Sequence, residues 1–406
     1  MAAAVTLCIM RLPNRVLSTL YRMLLCLSMQ NVTVSVCALL RRFFAVVRGV
    51  VVAYGAEYWR HNPNGVKCFR YGGVGMRFPR RIALANLPTP IERLNRLSER
   101  FGVEVYVKRD DMTGSAETGN KIRKLEYVLA DALSKGCDVV VTCGAADSNH
   151  ARATAIAARR LRLLPHLVLR KPRNGLVGNL LLDRLVGAEL TLVEPDEYYA
   201  DLDGIRERVL ADLRKRGRKP YWVPTGASMP LGAVGYVGCA SEIALFEARM
   251  GLRFDAVVFG TGSGGTAAGL LVGAAVYGLA ARIIGINTGE PTERLRNETV
   301  RIANGCAELL EFDRRFDASD VVIVDGFDAG GYGEVNERTL RTLKWFAENE
   351  GLLLDLVYTA KAASGLLGLL ERGEFKQGDR VLFIHTGGLP GLFSHCELLE
   401  QIVRRR

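Results

Sequence analysis

The chain has 406 residues, of which 49% are hydrophobic and 24% are charged. This composition is typical of a globular protein, and it excludes disorder or a coiled coil as a description of the whole. The formal net charge is +11, but residues 1–75 carry nine Lys and Arg against one acid, so residues 76–406 carry only +3. A nucleic-acid-binding body is therefore not expected.

Residues 1–75 are predicted to be a basic, apolar leader ahead of the folded body. Their longest uncharged run, 23–40, contains five polar residues and falls short of the roughly 20 apolar residues of a membrane span. The acid-poor, Arg-rich composition is typical of a mitochondrial transit peptide. We favour an extension read from a start codon called ahead of Met76, with the transit peptide second and a weak membrane anchor third. We expect a cytoplasmic protein without a membrane partner, or a mitochondrial one if the leader is a transit peptide.

From residue 101 onward, apolar runs typical of covered strands alternate with helical patterns. Strands are predicted at 103–108, 138–143, 166–169, 189–193, 221–223, 255–259, 282–287 and 380–385. Helices are predicted at 121–134, 149–161, 177–186, 196–216, 235–250, 266–277, 290–310, 335–350 and 360–371. This alternation predicts an α/β protein with mostly parallel sheets flanked by helices on both sides.

Eight strands are too many for one short doubly wound domain. We therefore expect two domains, with a smaller α/β domain (121–234) inserted into a larger one (76–120 plus 235–406). Ligands of such sheets bind at the carboxyl ends of the strands. The loops after residues 143, 223, 259 and 385 are accordingly the expected places for a site.

The loop at 260–266 reads Gly-Thr-Gly-Ser-Gly-Gly-Thr and opens a helix of small residues. Glycines let backbone N–H groups point inward, and the helix N-terminus adds partial positive charge, a combination that binds phosphate. The glycine spacing, with Glu290 further along the chain, also matches the dinucleotide fingerprint. The loop predicts a phosphate site without naming the ligand.

Lys121 lies at the start of a predicted helix. The chain has 11 lysines and 43 arginines, so its composition favours Arg wherever charge alone matters. Lysine can form a Schiff base and arginine cannot. Because the helix dipole disfavours a cation at this end, Lys121 is a candidate for a covalently engaged amine, the alternative being an exposed surface lysine.

Further polar residues follow the strand 138–143. Ser148 or Asp147 can cap the next helix, or the Ser148 hydroxyl can meet a carboxylate, with Asn149 as a further contact. Tyr332, in a glycine-rich loop, and Tyr358 complete the polar set. The nine cysteines show no C-x-x-C spacing, so neither a disulfide framework nor a metal site is expected.

Together these segments resemble the pyridoxal-phosphate (PLP) enzymes that include D-cysteine desulfhydrase and 1-aminocyclopropane-1-carboxylate (ACC) deaminase. The resemblance covers about residues 80–400, and its motifs occur in the family's order. They are VKRDD (107–111), GNKIRKLE (119–126), SNH (148–150), PLGAVGYV (230–237), TGSGGT (261–266), YTAK (358–361) and HTGG (385–388). The resemblance implies the tryptophan synthase β-like fold, fold type II of PLP enzymes, and PLP as the cofactor. A homodimer is expected.

The resemblance also implies which residues contact the cofactor. Lys121 would form the Schiff base and later act as the base at Cα, while Asn149 would bind the ring hydroxyl and Thr359 would face the pyridine nitrogen. The phosphate would be held by the backbone of Thr261, Gly262, Ser263, Gly264, Gly265 and Thr266.

For the substrate, the resemblance implies that Ser148 meets the carboxylate of a small amino acid, with Tyr332 and Tyr358 on either side. One departure stands out, because Asp147 replaces a Gln that is common in the family. A carboxylate at this position would repel the carboxylate of the substrate.

The residue after the second tyrosine separates the two best-known family members. ACC deaminase has Tyr-Glu and D-cysteine desulfhydrase has Tyr-Thr, as in Tyr358-Thr359 here. A hydroxyl at the pyridine nitrogen makes a weaker electron sink, which suffices for β-elimination. We expect a PLP-dependent lyase that converts D-cysteine to pyruvate, ammonia and hydrogen sulfide. ACC deaminase is the alternative, and an NAD-dependent oxidoreductase using residues 260–265 is a remote one.

Overall fold

The computed structural model describes residues 60–61, 67–71, 74–172 and 175–404, with side chains from Met76 onward. The strands are β1 (Arg60–His61), β2 (Lys67–Tyr71), β3 (Val74–Phe78), β4 (Ile91–Arg93), β5 (Glu104–Lys108), β6 (Val139–Ala145), β7 (Leu164–Arg170), β8 (Glu189–Val193), β9 (Pro220–Val223), β10 (Ala256–Thr261), β11 (Arg282–Asn287), β12 (Val322–Val324) and β13 (Arg380–Ile384). The predicted α/β class is confirmed, and all eight predicted strands are present.

The α-helices alternate with these strands along most of the chain. They are α1 (Asn95–Phe101), α2 (Asn120–Ser134), α3 (Asn149–Arg160), α4 (Gly178–Leu185), α5 (Pro195–Ala200), α6 (Leu202–Lys215), α7 (Pro230–Met250), α8 (Gly265–Tyr277), α9 (Thr292–Leu309), α10 (Glu337–Glu350), α11 (Thr359–Glu371), α12 (Leu389–Leu392) and α13 (Cys396–Arg404).

The larger sheet has six strands in the order β12-β11-β10-β13-β5-β4. Neighbouring strands are parallel except for β4, which runs antiparallel to β5. Val257, Phe259 and Phe383 in its central strands are fully buried. The continuous apolar runs in the sequence therefore reflect strands that are covered on both faces.

The smaller sheet has four parallel strands in the order β8-β7-β6-β9. All four come from the predicted smaller domain, and the strands of the larger sheet come from the predicted larger domain. Residues 56–406 nevertheless pack as one compact unit, so the division into two domains stays a prediction.

The predicted end of the leader at residue 75 falls inside β3. This strand pairs antiparallel with β2, and Met76 and Phe78 pack into a core cluster with residues of α7, α8 and α9. Folded structure thus begins earlier than predicted. The sequence did not indicate β2, because this strand has no alternating apolar pattern of its own and is held by its pairing with β3. Most of the leader, residues 1–59, lies outside the described residues.

One predicted helix is wrong, because the segment 196–216 forms two helices, α5 and α6. The chain breaks at Asp201, whose side chain accepts a hydrogen bond from the Gly204 N–H and caps α6. A second difference is the start of α7 at Pro230, five residues earlier than predicted. Proline is tolerated at this first helical position because no intrahelical partner exists there for its missing N–H.

Among the described helices, only α7 is long and apolar enough to cross a membrane by length and composition. Of its most apolar 18-residue window, 56% is buried within the fold, and the helix packs against α2, α8 and α9. Its apolar composition is accounted for by this packing in the core.

Candidate active site

The loops at the carboxyl ends of the two sheets meet around Lys121, the second residue of α2. The turn that starts this helix requires glycine, because Gly119 has φ +109° and a Cβ there would lie 2.7 Å from the Thr386 carbonyl oxygen. The Lys121 ammonium nitrogen lies 2.8 Å from Asn120 Oδ1 and 5.5 Å from the centre of the Tyr358 ring. Lys121 therefore stands in the predicted site rather than on the outer surface.

The surroundings of Lys121 favour its neutral form. Burial lowers the pKa of this amine to about 8; Asp355 opposes the shift and Arg152 adds to it. A pKa near 8 leaves about one-tenth of the amine neutral at pH 7, whereas an ordinary lysine is neutral in less than about one part in a thousand. Lys121 is thus suited to act as a nucleophile and as a base.

A buried ion network anchors the helix that carries Lys121. Arg123 donates hydrogen bonds of 2.7 and 2.8 Å to Asp110 and of 2.7 and 2.9 Å to Glu242, while Lys108 and Tyr236 donate further bonds to these two carboxylates. Burial alone would raise the pKa of both acids, but Arg123 and Lys108 lower them below their usual values. The network ties α2 to β5 and α7, which explains Lys108 and Asp110 of the Lys-Arg-Asp-Asp motif that follows Val107.

The predicted phosphate loop joins β10 to α8 and forms a cradle in which side chains would not fit. A Cβ at Gly264, where φ is +76°, would lie 2.9 Å from Thr299 Oγ1, and one at Gly265 would lie 2.7 Å from Ser228 Oγ. The Ser228 and Ser263 hydroxyls are 2.7 Å apart. Unpaired N–H groups at the start of a 13-residue helix, together with these hydroxyls, suit a phosphate group.

The remaining threonines of this loop have structural contacts. Thr266 Oγ1 accepts a 3.2 Å hydrogen bond from Asn120, which joins the loop to the start of α2. The Thr261 carbonyl accepts hydrogen bonds from the N–H and hydroxyl of Thr288. Gly262 also lies near Thr288, whose Oγ1 would be 2.9 Å from an added Cβ.

Lys124 is a site residue that the sequence motifs did not indicate. Its ammonium group donates to the Gly226 carbonyl at 3.2 Å and lies 3.0 Å from the Cβ position of Gly265, directly at the glycine loop. Burial and the nearby Lys121 lower the pKa of Lys124 well below its usual value, and no carboxylate pairs with it among the described residues. A buried amine without a counterion is a group that an anion would stabilise. The three-residue spacing from Lys121 was the available signal, since it places both on one face of α2.

Ser148 and Asn149 begin α3. Ser148 Oγ accepts a 3.2 Å hydrogen bond from the Ala151 N–H, which makes Ser148 the N-cap of the helix. Its hydroxyl hydrogen stays available, so the capping and carboxylate-binding interpretations are compatible. Asn149 Oδ1 accepts a hydrogen bond from Asn179, and Asn149 Nδ2 would lie 2.9 Å from a Cβ on Gly388.

The two predicted tyrosines are in contact in the fold, although they lie 26 residues apart in the sequence. The Tyr358 hydroxyl donates a 2.9 Å hydrogen bond to the Tyr332 hydroxyl, and the rings meet edge to face with centroids 5.9 Å apart. Burial raises the pKa of both phenols. Both are therefore protonated at neutral pH, and the Tyr332 hydroxyl hydrogen is left to donate to a ligand.

Thr359 makes contacts that the sequence did not predict. Its hydroxyl donates to Asp355 Oδ1 at 2.7 Å and accepts from the Asp355 N–H at 2.6 Å. A carboxylate can only accept hydrogen bonds, so the hydroxyl hydrogen is committed to Asp355. Toward a ligand, Thr359 Oγ1 can offer only its remaining lone pair.

Asp147 lines a cavity of about 460 Å³ together with Arg170, Tyr332 and His395. Burial raises the pKa of Asp147, while His395 and Arg170 oppose this shift. Arg170 stacks on Tyr332 at 5.1 Å from the ring centre. The expected repulsion of a substrate carboxylate is thus reduced by the neighbouring Arg170 guanidinium, and the raised pKa of Asp147 acts in the same direction.

These residues fit PLP. An amine with a lowered pKa suits the aldehyde, and the glycine cradle with Lys124 suits the phosphate. Asn149 and Asp355, to which Thr359 is bonded, both lie beside Gly388. Among the described residues, no group of His, Cys, Asp and Glu could hold a metal ion.

Comparisons with known proteins agree with this fit. The profile of the pyridoxal-phosphate dependent enzymes matches residues 82–387, which include the glycine loop, so PLP phosphate is favoured over a dinucleotide there. A Pyrococcus abyssi protein, named provisionally as an ACC deaminase, is 44% identical over 328 residues, covering 80% of this chain and 97% of that protein. The ACC deaminase of Burkholderia vietnamiensis is 41% identical over 334 residues, covering 80% and 98%.

Solved structures show the same fold. The crystal structure of an ACC deaminase homologue has a TM-score of 0.73 and 40% identity, covering 80% of this chain and 96% of that one. O-ureido-L-serine synthase, at 21% identity and a TM-score of 0.57, is similar in fold alone. The predicted fold type II and the PLP cofactor are thereby confirmed. The chain belongs to the family of pyridoxal-phosphate dependent enzymes.

Proposed function

We propose that this enzyme deaminates a small amino acid and that ACC is its best-supported substrate, with 2-oxobutanoate and ammonia as products. The contact between Thr359 and Asp355 carries this proposal. Opening a cyclopropane ring needs a strong electron sink, and a protonated pyridine nitrogen provides one. Because the Thr359 hydroxyl donates to Asp355, its oxygen can only accept a bond from that nitrogen, which favours the protonated form. The names of relatives at 41–44% identity support the same substrate.

The Tyr-Thr pair alone does not decide the strength of the electron sink, because Asp355 lies behind Thr359. A Thr359 hydroxyl without a partner would leave the pyridine ring a weak electron sink. Here the hydroxyl is hydrogen-bonded to the carboxylate of Asp355, which is buried and only 2% exposed. A carboxylate one hydrogen bond away stabilises positive charge in a low-dielectric site. Thr359 and Asp355 together would do what a directly placed carboxylate does in sequences with Tyr-Glu.

The chain's own residues account for the remaining steps. PLP, when bound, delocalises the electron pair released at Cα. ACC has no hydrogen on Cα, so Lys121 as a neutral amine would take up a proton from a ring methylene, while the bond between Cα and the other methylene breaks. The Ser148 hydroxyl would hold the substrate carboxylate. The Tyr332 hydroxyl, polarised by the bond from Tyr358, would give a proton to the ring carbon that becomes the methyl group of 2-oxobutanoate.

Elimination from D-cysteine is the second candidate. It is favoured by Thr359 itself, since the resemblance links the Tyr-Thr pair to D-cysteine desulfhydrase. In that reaction the C–S bond breaks after Cα is deprotonated, and hydrogen sulfide, pyruvate and ammonia result. A weaker sink is sufficient there because the thiolate is a good leaving group.

A panel of substrates tested on the purified holoenzyme distinguishes ACC deamination from elimination of D-cysteine. ACC turnover is measured as 2-oxobutanoate, and turnover of D-cysteine, L-cysteine and D-serine as pyruvate. We expect kcat/KM for ACC to exceed that for D-cysteine by at least about tenfold. The Lys121→Ala variant is the control for PLP-catalysed background. Turnover of D-cysteine without turnover of ACC would overturn the proposal in favour of the desulfhydrase.

The homodimer and the cytoplasmic location stay proposals. Light scattering on the holoenzyme would test the first, and a mass consistent with one chain would contradict it. Microscopy of the full chain fused to a fluorescent protein would test the second.

A further inference from the structure

Asn149 is held by a chain of buried groups behind it. The Arg152 guanidinium, which is fully buried on α3, donates to the Thr118 carbonyl at 2.8 Å and to Asn179 Oδ1 at 3.0 Å. Asn179, also fully buried, donates from Nδ2 to Asn149 Oδ1 at 3.0 Å and to the Asp147 carbonyl. Arg152 makes a longer contact of 3.4 Å to the same oxygen of Asn149.

These hydrogen bonds leave the side-chain amides of Asn179 and Asn149 only one satisfactory orientation each. Burial lowers the pKa of Arg152 to about 10, so the guanidinium is still protonated at neutral pH and has donors alone. The atom of Asn179 that faces it must therefore be the oxygen, which turns the NH2 group of Asn179 toward Asn149. By the same rule, the atom of Asn149 that faces Asn179 must be its oxygen.

The NH2 group of Asn149 is consequently directed to the opposite side, at the loop of Gly388 and Asp355. It donates no hydrogen bond to any residue in the described part of the chain. Rotating the amide would set its NH2 group against the NH2 group of Asn179 and against Arg152. Asn179 would then keep only the Asp147 carbonyl as an acceptor, and the NH2 group of Asn149 would face donors alone. Leaving buried donors unpaired costs about 1–3 kcal/mol each, so the rotated state is disfavoured.

We infer that Arg152 and Asn179 are positioning residues. They make Asn149 present a hydrogen-bond donor, and not an acceptor, to the oxygen of the ring hydroxyl of PLP. A donor stabilises that oxygen as the anion, because charge-assisted hydrogen bonds are the stronger ones. An acceptor would stabilise the neutral hydroxyl instead. The two residues thus set the protonation state of the cofactor without touching it. The inference depends on PLP binding and not on which amino acid is the substrate.

The decisive variant is Asn179→Asp. Aspartate keeps the acceptor for Arg152 but has no NH2 group, so Asn149 is expected to rotate, donate to the new carboxylate and turn its own oxygen toward the cofactor. The spectrum of bound PLP reports the ring oxygen, since the anionic form absorbs in the visible and the neutral form in the near ultraviolet. We expect the ratio of visible to near-ultraviolet absorbance to fall about fivefold and the Kd for PLP to rise about five- to tenfold, the effect of one hydrogen bond.

Two further variants make the result interpretable. Asn179→Ala removes both the donor and the acceptor and should lower the ratio of visible to near-ultraviolet absorbance by about twofold. If Asn179→Asp does not fold, this variant tests the inference in its place. Asn304→Asp is the matched control, because Asn304 pairs with the Phe316 backbone through Nδ2 and Oδ1 at 2.9 and 2.8 Å and contacts none of the site residues described above. It should leave the spectrum and the Kd for PLP unchanged.

A double-mutant cycle tests whether the effect passes through Asn149. In an Asn149→Ala background, Asn179→Asp should change the absorbance ratio by less than about 1.5-fold. The same fivefold change in that background would overturn the inference. So would a ratio and a Kd within about 1.5-fold of the wild type for folded Asn179→Asp in the native background. Neither result depends on substrate turnover, so failure of the proposed function is distinguishable.

Discussion

The Lys361 ammonium group donates a 2.7 Å hydrogen bond to the carbonyl of Gly331, the residue before Tyr332. A second bond of 3.2 Å joins it to the Thr288 carbonyl. Lys361 is fully buried on α11, two residues after Thr359. One lysine therefore holds the glycine-rich loop of Tyr332 against the helix that begins at Thr359.

Replacing Lys361 with methionine should loosen this loop. Methionine fills similar space but removes the ammonium donor from both carbonyls, and the Gly331 carbonyl keeps only the 3.3 Å bond from the Glu334 N–H, so Tyr332 is expected to lose its fixed position. KM should rise about tenfold, with kcat reduced less than about threefold, since loss of one or two hydrogen bonds costs about 1–2 kcal/mol. Steady-state kinetics with the active substrate measure this. The control is Lys376→Met at an exposed position, and an unchanged KM for Lys361→Met would contradict the loop-holding role.

The pH dependence of PLP capture should report the pKa of Lys121. Only the neutral amine reacts with an aldehyde, so the observed rate for apoenzyme and PLP should rise with pH and level off above about 8, the pKa to which burial lowers this amine. Stopped-flow absorbance would follow the reaction. A midpoint near 10, the value of an exposed lysine, would show that Lys121 is not desolvated. Lys121→Ala should show no covalent labelling on borohydride reduction.

Lys124→Met should weaken PLP binding by about 10- to 100-fold, because a charge-assisted hydrogen bond is worth about 1.5–3 kcal/mol. The loss should disappear when pyridoxal, which lacks the phosphate, replaces PLP as the ligand. Lys135→Met is the matched control, since this lysine follows the same helix at its exposed end. Equal losses for PLP and pyridoxal would argue against a phosphate contact.

Arg123→Met should destabilise the fold by about 3–5 kcal/mol, because it leaves the buried carboxylates of Asp110 and Glu242 without their shared partner. Urea unfolding measures this change. Arg341→Met, which breaks an exposed pair with Glu337, should cost no more than about 0.5 kcal/mol. Equal losses in the two variants would contradict the anchoring role of the network.

The same network predicts the direction of acid sensitivity. The folded-state pKa values of Asp110 and Glu242 lie below the usual values of 3.8 and 4.5. Their contribution to stability is therefore present above those usual values and is lost as pH falls through the lowered ones. The difference in unfolding free energy between the wild type and Arg123→Met should shrink below about pH 4. A difference that grows on acidification would show that the sign is wrong.

Thr359→Val should test the electron-sink argument. Valine has the same shape but offers no oxygen, so ACC turnover should fall at least about tenfold, the effect of about 1.4 kcal/mol. PLP should stay bound, as judged by absorbance. Thr342→Val is the matched control, because Thr342 is a buried threonine on α10 that accepts a bond from Ser364. An ACC kcat within twofold of the wild type would remove the support that Thr359 gives to the proposed function.

Local pattern was enough to predict most elements of this fold. The strands β8 and β11 and the helix α8 come within a residue of the predicted bounds, because apolar runs and small-residue periodicity act over a few neighbouring positions. The strands β4 and β12 have three residues each, which is too short for a pattern to be read, although β12 is apolar throughout. Each is held by hydrogen bonds to a longer strand. The break at Asp201 depends on a side-chain cap that competes with helix continuation.

The site shows the same division. The sequence alone indicated Lys121, the glycine loop, Ser148 and the two tyrosines, since these lie in motifs of adjacent residues. It could not give the contacts that determine their chemistry, namely Lys124 at the glycine loop, Thr359 bonded to Asp355, and Arg152 and Asn179 behind Asn149. These contacts join residues on different strands and helices or depend on the direction of a hydrogen bond. A lowered pKa or a fixed amide orientation arises from burial and from the partner that faces each group, and only the tertiary structure supplies these.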